Sequence, residues 1–300
     1  MSTMTQFELG EVPGGVSLAS LFEGNFECAK SLGFGLDFYA SRIVLGGWPS
    51  QLARREVQVK KIAEEYLDTV FNVSVPAKGG KVAEARSVAN SLARNLCANA
   101  TLKTMGADVA SVAGQRASVE IVKKHLGIFD SLYIIDNVFG WDAPVRSKTR
   151  VRTSPKRYFS DVSLAASLLN FDERRILAEG QIFGLLFESL VVHDISVFVT
   201  ALRNCSSLPI CYYRDSDGLE VDVIIELKDG RWAGIEIKLG EDKVPEGIAS
   251  LNRLRRKVAL NPAARNPKPT FMAVVVGAGE FARYDKENDV YVIPFSCLEP

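Results

Sequence analysis

From Leu219 to Leu227 the chain reads LEVDVIIEL, an alternation that sends Val221, Val223, Ile225 and Leu227 to one face of a strand and Glu220, Asp222, Ile224 and Glu226 to the other. The turn signal Lys228-Asp229-Gly230-Arg231 follows. WAGIEIKL then alternates again, with Ala233, Ile235, Ile237 and Leu239 on one side and Trp232, Gly234, Glu236 and Lys238 on the other. If the apolar faces share a core, Asp222, Glu236 and Lys238 converge on the polar one.

Around this hairpin the pattern predicts a mixed α/β protein. Ile182 to Leu202 reads as a long apolar helix and Cys211 to Arg214 as a strand. A basic helix is expected from about Pro245 to Ala259, and strands near Phe271 to Val276 and Val290 to Pro294. The order is helix, three strands, helix, strand, strand. Upstream, Gln51 to Val70 and the Ala-, Leu- and Arg-rich stretch Lys81 to Leu102 are helical in pattern, and Lys156 to Asp161 is a short strand before helices at Val162 to Leu169 and Asp172 to Leu177. A segment near Ala107 to Val112, a turn at Gly114 and an amphipathic stretch from Ser118 to Leu126 have helix-turn-helix spacing. Leu132 to Val138 and Thr149 to Arg152 would complete a winged-helix hairpin. Residues 1–50 mix Gly, Pro and isolated apolar positions and read as a connector. Three parts are therefore expected: 1–50, a helical and winged-helix-like region over 51–157, and a sheet domain over 158–300.

Composition narrows the functional classes. The formal net charge is zero, so a polyanion partner must be met by local clusters of Lys and Arg. One such cluster is Arg146, Lys148, Arg150, Arg152, Lys156 and Arg157, with no acidic residue among them; phosphate contact and a charged, solvated hairpin edge both fit it. Another is Arg253, Arg255 and Arg256, which could face a nucleic-acid backbone or decorate a solvated helix whose Leu251, Leu254 and Val258 point inward. Five scattered cysteines without CxxC spacing argue against a zinc site or a disulfide framework, and two histidines in the whole chain make an imidazole-rich zinc centre implausible. The run Ile182 to Leu202 could span a bilayer by length, but Glu188, His193 and Asp194 near its centre favour a core helix. With no secretory pattern at the N-terminus, a cytoplasmic protein without a membrane partner is expected.

Asp222, Glu236 and Lys238 suggest metal-assisted phosphodiester chemistry. A hard divalent cation, Mg²⁺ or Mn²⁺, needs few acidic oxygens besides waters and substrate phosphate, so Asp222 and Glu236 suffice, with the Ile237 carbonyl as a further donor. Lys238 could orient the attacking water or stabilise the phosphorane-like transition state. Glu188 lies in an apolar helix stripe where an unpaired carboxylate would be costly. Either it joins the metal cluster as a third carboxylate, or a structural partner such as an Arg or a backbone N–H satisfies it.

The order of elements and the motif Asp222…Glu236-Ile237-Lys238 resemble the PD-(D/E)xK phosphodiesterase superfamily, whose restriction-endonuclease-like core is αβββαβ; Val221 stands where the name-giving proline would be. More closely, FESLVVHDI (187–195), YYRDSDGLEVDVIIEL and GIEIKLG resemble the C-terminal domain that follows a P-loop AAA-type ATPase module in many bacterial and archaeal proteins. So do GGWP (46–49), YLDT (66–69) and SPKRYFSD (154–161). The resemblance covers roughly residues 40 to 300. It implies an ATPase module, then a winged-helix portion, then a nuclease-like domain with Glu188, Asp222, Glu236 and Lys238 at its site. This sequence has no G-x-x-x-x-G-K-[ST], so the chain looks truncated at its N-terminus and neither ATP binding nor ATP hydrolysis is expected of it. The expectation is a nucleic-acid-associated protein with magnesium-dependent phosphodiester hydrolysis. The competitor is a noncatalytic module that binds nucleic acid or a separate AAA-type ATPase.

Overall fold

The computed structural model describes residues 2–53, 59–98, 100–113, 119–141, 154–262 and 264–300. In chain order the helices are α1 (Leu18–Phe22), α2 (Leu36–Leu45), α3 (Ile62–Thr69), α4 (Val82–Arg94), α5 (Leu102–Ala113), α6 (Val119–Ser131), α7 (Val162–Leu169), α8 (Glu173–Ala178), α9 (Gly180–Thr200) and α10 (Val244–Ala259). The strands are β1 (Val16–Ser17), β2 (Ile135–Gly140), β3 (Lys156–Phe159), β4 (Cys211–Arg214), β5 (Glu220–Glu226), β6 (Trp232–Lys238), β7 (Phe271–Val276), β8 (Arg283–Asp285), β9 (Val290–Pro294) and β10 (Leu298–Glu299). The fold is mixed α/β, helix-rich first and sheet-rich after.

Two compact units divide the chain. One comprises residues 1–4, 40–137 and 154–190, the other residues 5–39, 138–153 and 191–300. The three consecutive stretches read from the sequence are thus interleaved. Residues 5–39, expected as a connector, belong to the second unit, where β1 pairs in parallel with β10 and Phe22 meets Phe271 edge-on, centroids 5.0 Å apart. The strand expected at Thr149 to Arg152 lies outside the described residues. The helix expected over Lys81 to Leu102 stops at Arg94, and α5 begins at Leu102.

In the first unit, short motifs explain one another. The Asp161 carboxylate caps α7, Oδ1 accepting from the Ser163 N–H at 2.9 Å, while Oδ2 accepts from the Gly47 N–H at 2.7 Å. Gly46 has φ +70°, and a Cβ there would run into the Asp161 carboxylate, so glycine is required twice over. Trp48 Nε1–H donates to Ser163 Oγ at 2.9 Å, and its ring lies 5.1 Å from that of Tyr66. GGWP, YLDT and SPKRYFSD are therefore neighbours in space. The α9 helix is long and apolar, but most of it is buried in the protein, as befits a core helix.

In the second unit the sheet runs β4-β5-β6-β7-β9-β8, with the end of β2 parallel to β4 through Phe139↔Cys211. β4, β5 and β6 are antiparallel neighbours; β6, β7 and β9 are parallel, and α10 connects β6 to β7. Parallel strands covered on both faces read as unbroken apolar runs, as in FMAVVV of β7, all six residues buried. α10 lays Val244, Gly247, Leu251, Leu254 and Val258 on the sheet. From Tyr213↔Val221 to Cys211↔Ile224, β4 advances two residues while β5 advances three, so β5 carries a bulge around Asp222 and Val223. The bulge puts both Val221 and Ile224 into the core that α10 covers, where strict alternation had placed Ile224 on a polar face.

Replacing Asp161 with alanine removes a helix cap and leaves the buried Gly47 N–H without its acceptor. A loss of about 2–4 kcal/mol in urea unfolding is expected, and a loss below about 0.5 kcal/mol would contradict this account.

Candidate functional site

β6 separates its side chains in an unexpected way. The face read as polar is the one α10 covers: Trp232 is buried in the α10 cluster, and a Cβ built on Gly234 would touch Leu251 and Leu254. Glu236 follows on that face and is 3% exposed. Gly247 of α10 packs over it; a Cβ there would stand at ordinary contact, 3.4 Å, from Glu236 Cβ and tightly, 3.1 Å, against Val274. A carboxylate this buried needs a partner, and Lys238 supplies one, its Nζ 2.5 Å from Glu236 Oε2. Lys238 is 23% exposed, so the ion pair opens to solvent at the lysine end.

Asp222 reaches the same place from β5. The paired register of β5 with β6 ends at Val223↔Ile235, and beyond it the Asp222 side chain takes over from the strand: Oδ2 accepts the Ile237 N–H at 2.9 Å. Asp222 thus holds the backbone between Glu236 and Lys238. The second unit brings together these three of the four residues proposed from sequence. Their possible metal donors are hard carboxylate oxygens, with no His or Cys, which suits Mg²⁺ or Mn²⁺ rather than zinc; the Lys238 ammonium has no lone pair to offer. Among the described residues no three His, Cys, Asp or Glu side chains group as ligands for one ion. What the second unit offers is a pair of carboxylates.

Glu188 takes the other course open to it. In the first unit its Oε1 accepts from the Tyr158 hydroxyl at 2.9 Å and from Lys156 Nζ at 3.2 Å. Lys156 is 1% exposed. In the first unit Glu188 thus has a local cation and a phenol as partners, and Lys156, expected among the phosphate-contacting residues, is ion-paired to it. The signal was present in SPKRYFSD, where alternation in a short strand turns Lys156 and Tyr158 to one side. Arg157, on the opposite side, is half-buried and donates to the Ala100 carbonyl at 3.2 Å, and burial lowers its pKa from the usual guanidinium value. Arg146, Lys148, Arg150 and Arg152 lie outside the described residues.

The basic residues of α10 are not equivalent. Arg255 is tied to the turn before β9, Nη1 donating to the Asn288 carbonyl at 3.0 Å and Nη2 to the Asp289 carbonyl at 2.6 Å. Lys257 bridges Asp215 and Asp217 at 2.5 Å each. Arg253 and Arg256 are exposed.

With this geometry in place, comparison with known proteins gives the following. Residues 36–175 match a domain of unknown function, DUF8612, and residues 183–298 match a second, DUF4143, often found in AAA-ATPase-associated proteins. Uncharacterised proteins of Mycobacterium bovis and Mycobacterium tuberculosis are each 28% identical over 116 residues, 39% of this chain. The chain spans about a quarter of the length of these curated relatives, the match covering 24% of each.

Asp222 can be tested apart from any reaction. Asp222→Ala strands the Ile237 N–H and is expected to cost about 1–3 kcal/mol, whereas Asp222→Asn keeps a carbonyl acceptor and recovers most of that. Equal losses in thermal or urea unfolding would show that this hydrogen bond does not organise the strand ends.

Proposed function

We propose that the second unit hydrolyses nucleic-acid phosphodiester bonds with Mg²⁺ or Mn²⁺ held by Asp222 and Glu236, in the manner of the PD-(D/E)xK enzymes that its motif resembles. The observation that carries this reading is the placement of one carboxylate on the N–H that follows a second carboxylate, with a lysine ammonium on that second group. A structural ion pair would suffice with Glu236 and Lys238 alone. The third ionisable side chain, brought in from a neighbouring strand by a bulge, adds negative charge that stability does not require.

The roles follow from the chemistry of each group. Asp222 is fixed by the Ile237 N–H through Oδ2, and its carboxylate supplies hard oxygens of the kind a divalent cation takes. Glu236 is buried beneath Gly247 of α10, and the Lys238 ammonium holds its carboxylate. A divalent ion at these oxygens would lower the pKa of a bound water and offset charge on the phosphate. Lys238, 23% exposed, carries three N–H donors that can hold a phosphate oxygen or orient a water. Glu188 is left to its structural role in the first unit.

A second reading has its own support. Lys238 already neutralises Glu236, so the pair is electrostatically complete without a cation, and the DUF4143 match points toward ATPase-associated proteins. On that reading the unit is a noncatalytic module for nucleic acid or a partner ATPase.

Incubation with plasmid and single-stranded DNA in Mg²⁺ or Mn²⁺ separates the two. Cleavage that is lost with chelator and reduced at least about 100-fold by Glu236→Ala and by Lys238→Ala is the expected result. Cleavage unaffected by both substitutions, or none with either metal, would overturn the hydrolase.

A further inference from the structure

Pro245, Ile248, Ala249, Asn252, Arg253 and Arg256 fall at i, i+3, i+4, i+7, i+8 and i+11, a single stripe along the side of α10. Asp285 and Asn288 from the β8–β9 turn stand opposite, and together these residues enclose a groove of about 540 Å³. The far wall is fastened to the helix: Asn252 Nδ2 donates to Asn288 Oδ1 at 3.2 Å, and Arg255 grips the Asn288 and Asp289 carbonyls. Along the groove the chemistry changes. The end near the start of α10 is apolar, with Pro245, Ile248 and Ala249, and the other end carries the two exposed guanidiniums of Arg253 and Arg256.

The charge balance favours an anion. Among the described residues Arg253 has no hydrogen-bond or ion-pair partner, and Arg256 makes one contact, Nε to the Asn252 carbonyl at 3.3 Å. The one carboxylate lining the groove, Asp285, is engaged by the Glu287 and Asn288 N–H groups and the Asn288 side-chain amide, at 2.9–3.1 Å. The position along the helix also matters. Gly247, which packs on Glu236, lies between Pro245 and Ile248, at the level of the apolar end of the stripe. At about 1.5 Å rise per residue, Arg253 and Arg256 sit roughly 9 and 14 Å further along the axis.

From this groove we infer a track for single-stranded nucleic acid, with successive phosphates on Arg253 and Arg256 and an unpaired base or sugar against Pro245, Ile248 and Ala249. A duplex hides its bases inside and offers the apolar end nothing to cover; a single strand exposes both phosphates and bases. The inference rests on the phosphodiesterase reading only in naming the substrate, and it assigns Arg255 a different task from its neighbours, that of holding the far wall in place.

The test is fluorescence anisotropy of the full chain with a labelled single-stranded oligonucleotide in EDTA, which reads binding without turnover. The plot of log affinity against log salt should flatten by about 1.4 in the Arg253→Ala/Arg256→Ala variant, two phosphate contacts at about 0.7 each. The Arg253→Lys/Arg256→Lys variant should keep the wild-type slope. Both residues are exposed, and unchanged thermal melting confirms folding. A slope unchanged in the double alanine variant overturns the track, as does equal affinity for a duplex of the same length or for a polyglutamate peptide. Arginine-dependent binding with no cleavage in either metal would refute the hydrolase and leave the track standing.

Discussion

The hydrogen bond from the Ile237 N–H to the Asp222 carboxylate is the constraint on which the second unit's chemistry turns. Two antiparallel strands would normally continue their ladder through these positions. Instead, the bulge in β5 redirects the chain, backbone pairing stops, and a side chain completes the valence of β6. The arrangement satisfies a buried donor and also brings a negative group beside Glu236. Because a bulge is a local departure from the two-residue repeat, it lets β5 send Val221 and Ile224 into one core while freeing Asp222 for another task.

Glu236 shows how packing and charge are reconciled. It is buried beneath Gly247 of α10, and its desolvation is offset by an ammonium that still reaches water. Ion pairs at such a boundary contribute little to stability on balance, since the Coulomb gain is set against the cost of removing charges from solvent.

Much of the second unit was legible in its sequence because apolar runs and turn residues dictate strands directly. β4, β7 and β9 have the boundaries that pattern predicts, and α10 starts within a residue of the proline that marks its first turn. The faces of β5 and β6 were less legible. Period-two reasoning assumes one covered face, whereas α10 covers the face that carries Trp232, Gly234 and Glu236. Glu188 cannot be placed from its helix alone, because its partners Lys156 and Tyr158 come from a strand some thirty residues earlier, and Lys156 reads as part of a basic run. The same limit applies to Gly46 and Asp161, where a turn glycine and a helix cap are each recognisable, but their contact depends on tertiary packing.

The central claim is that Asp222 and Glu236 share a divalent cation, and its most direct test is anomalous diffraction from crystals of the protein soaked in Mn²⁺. The account predicts a manganese peak bonded to oxygens of both carboxylates, with Lys238 displaced from Glu236 toward solvent. A fully soaked crystal with no peak there, and with Lys238 still seated on Glu236, would contradict it.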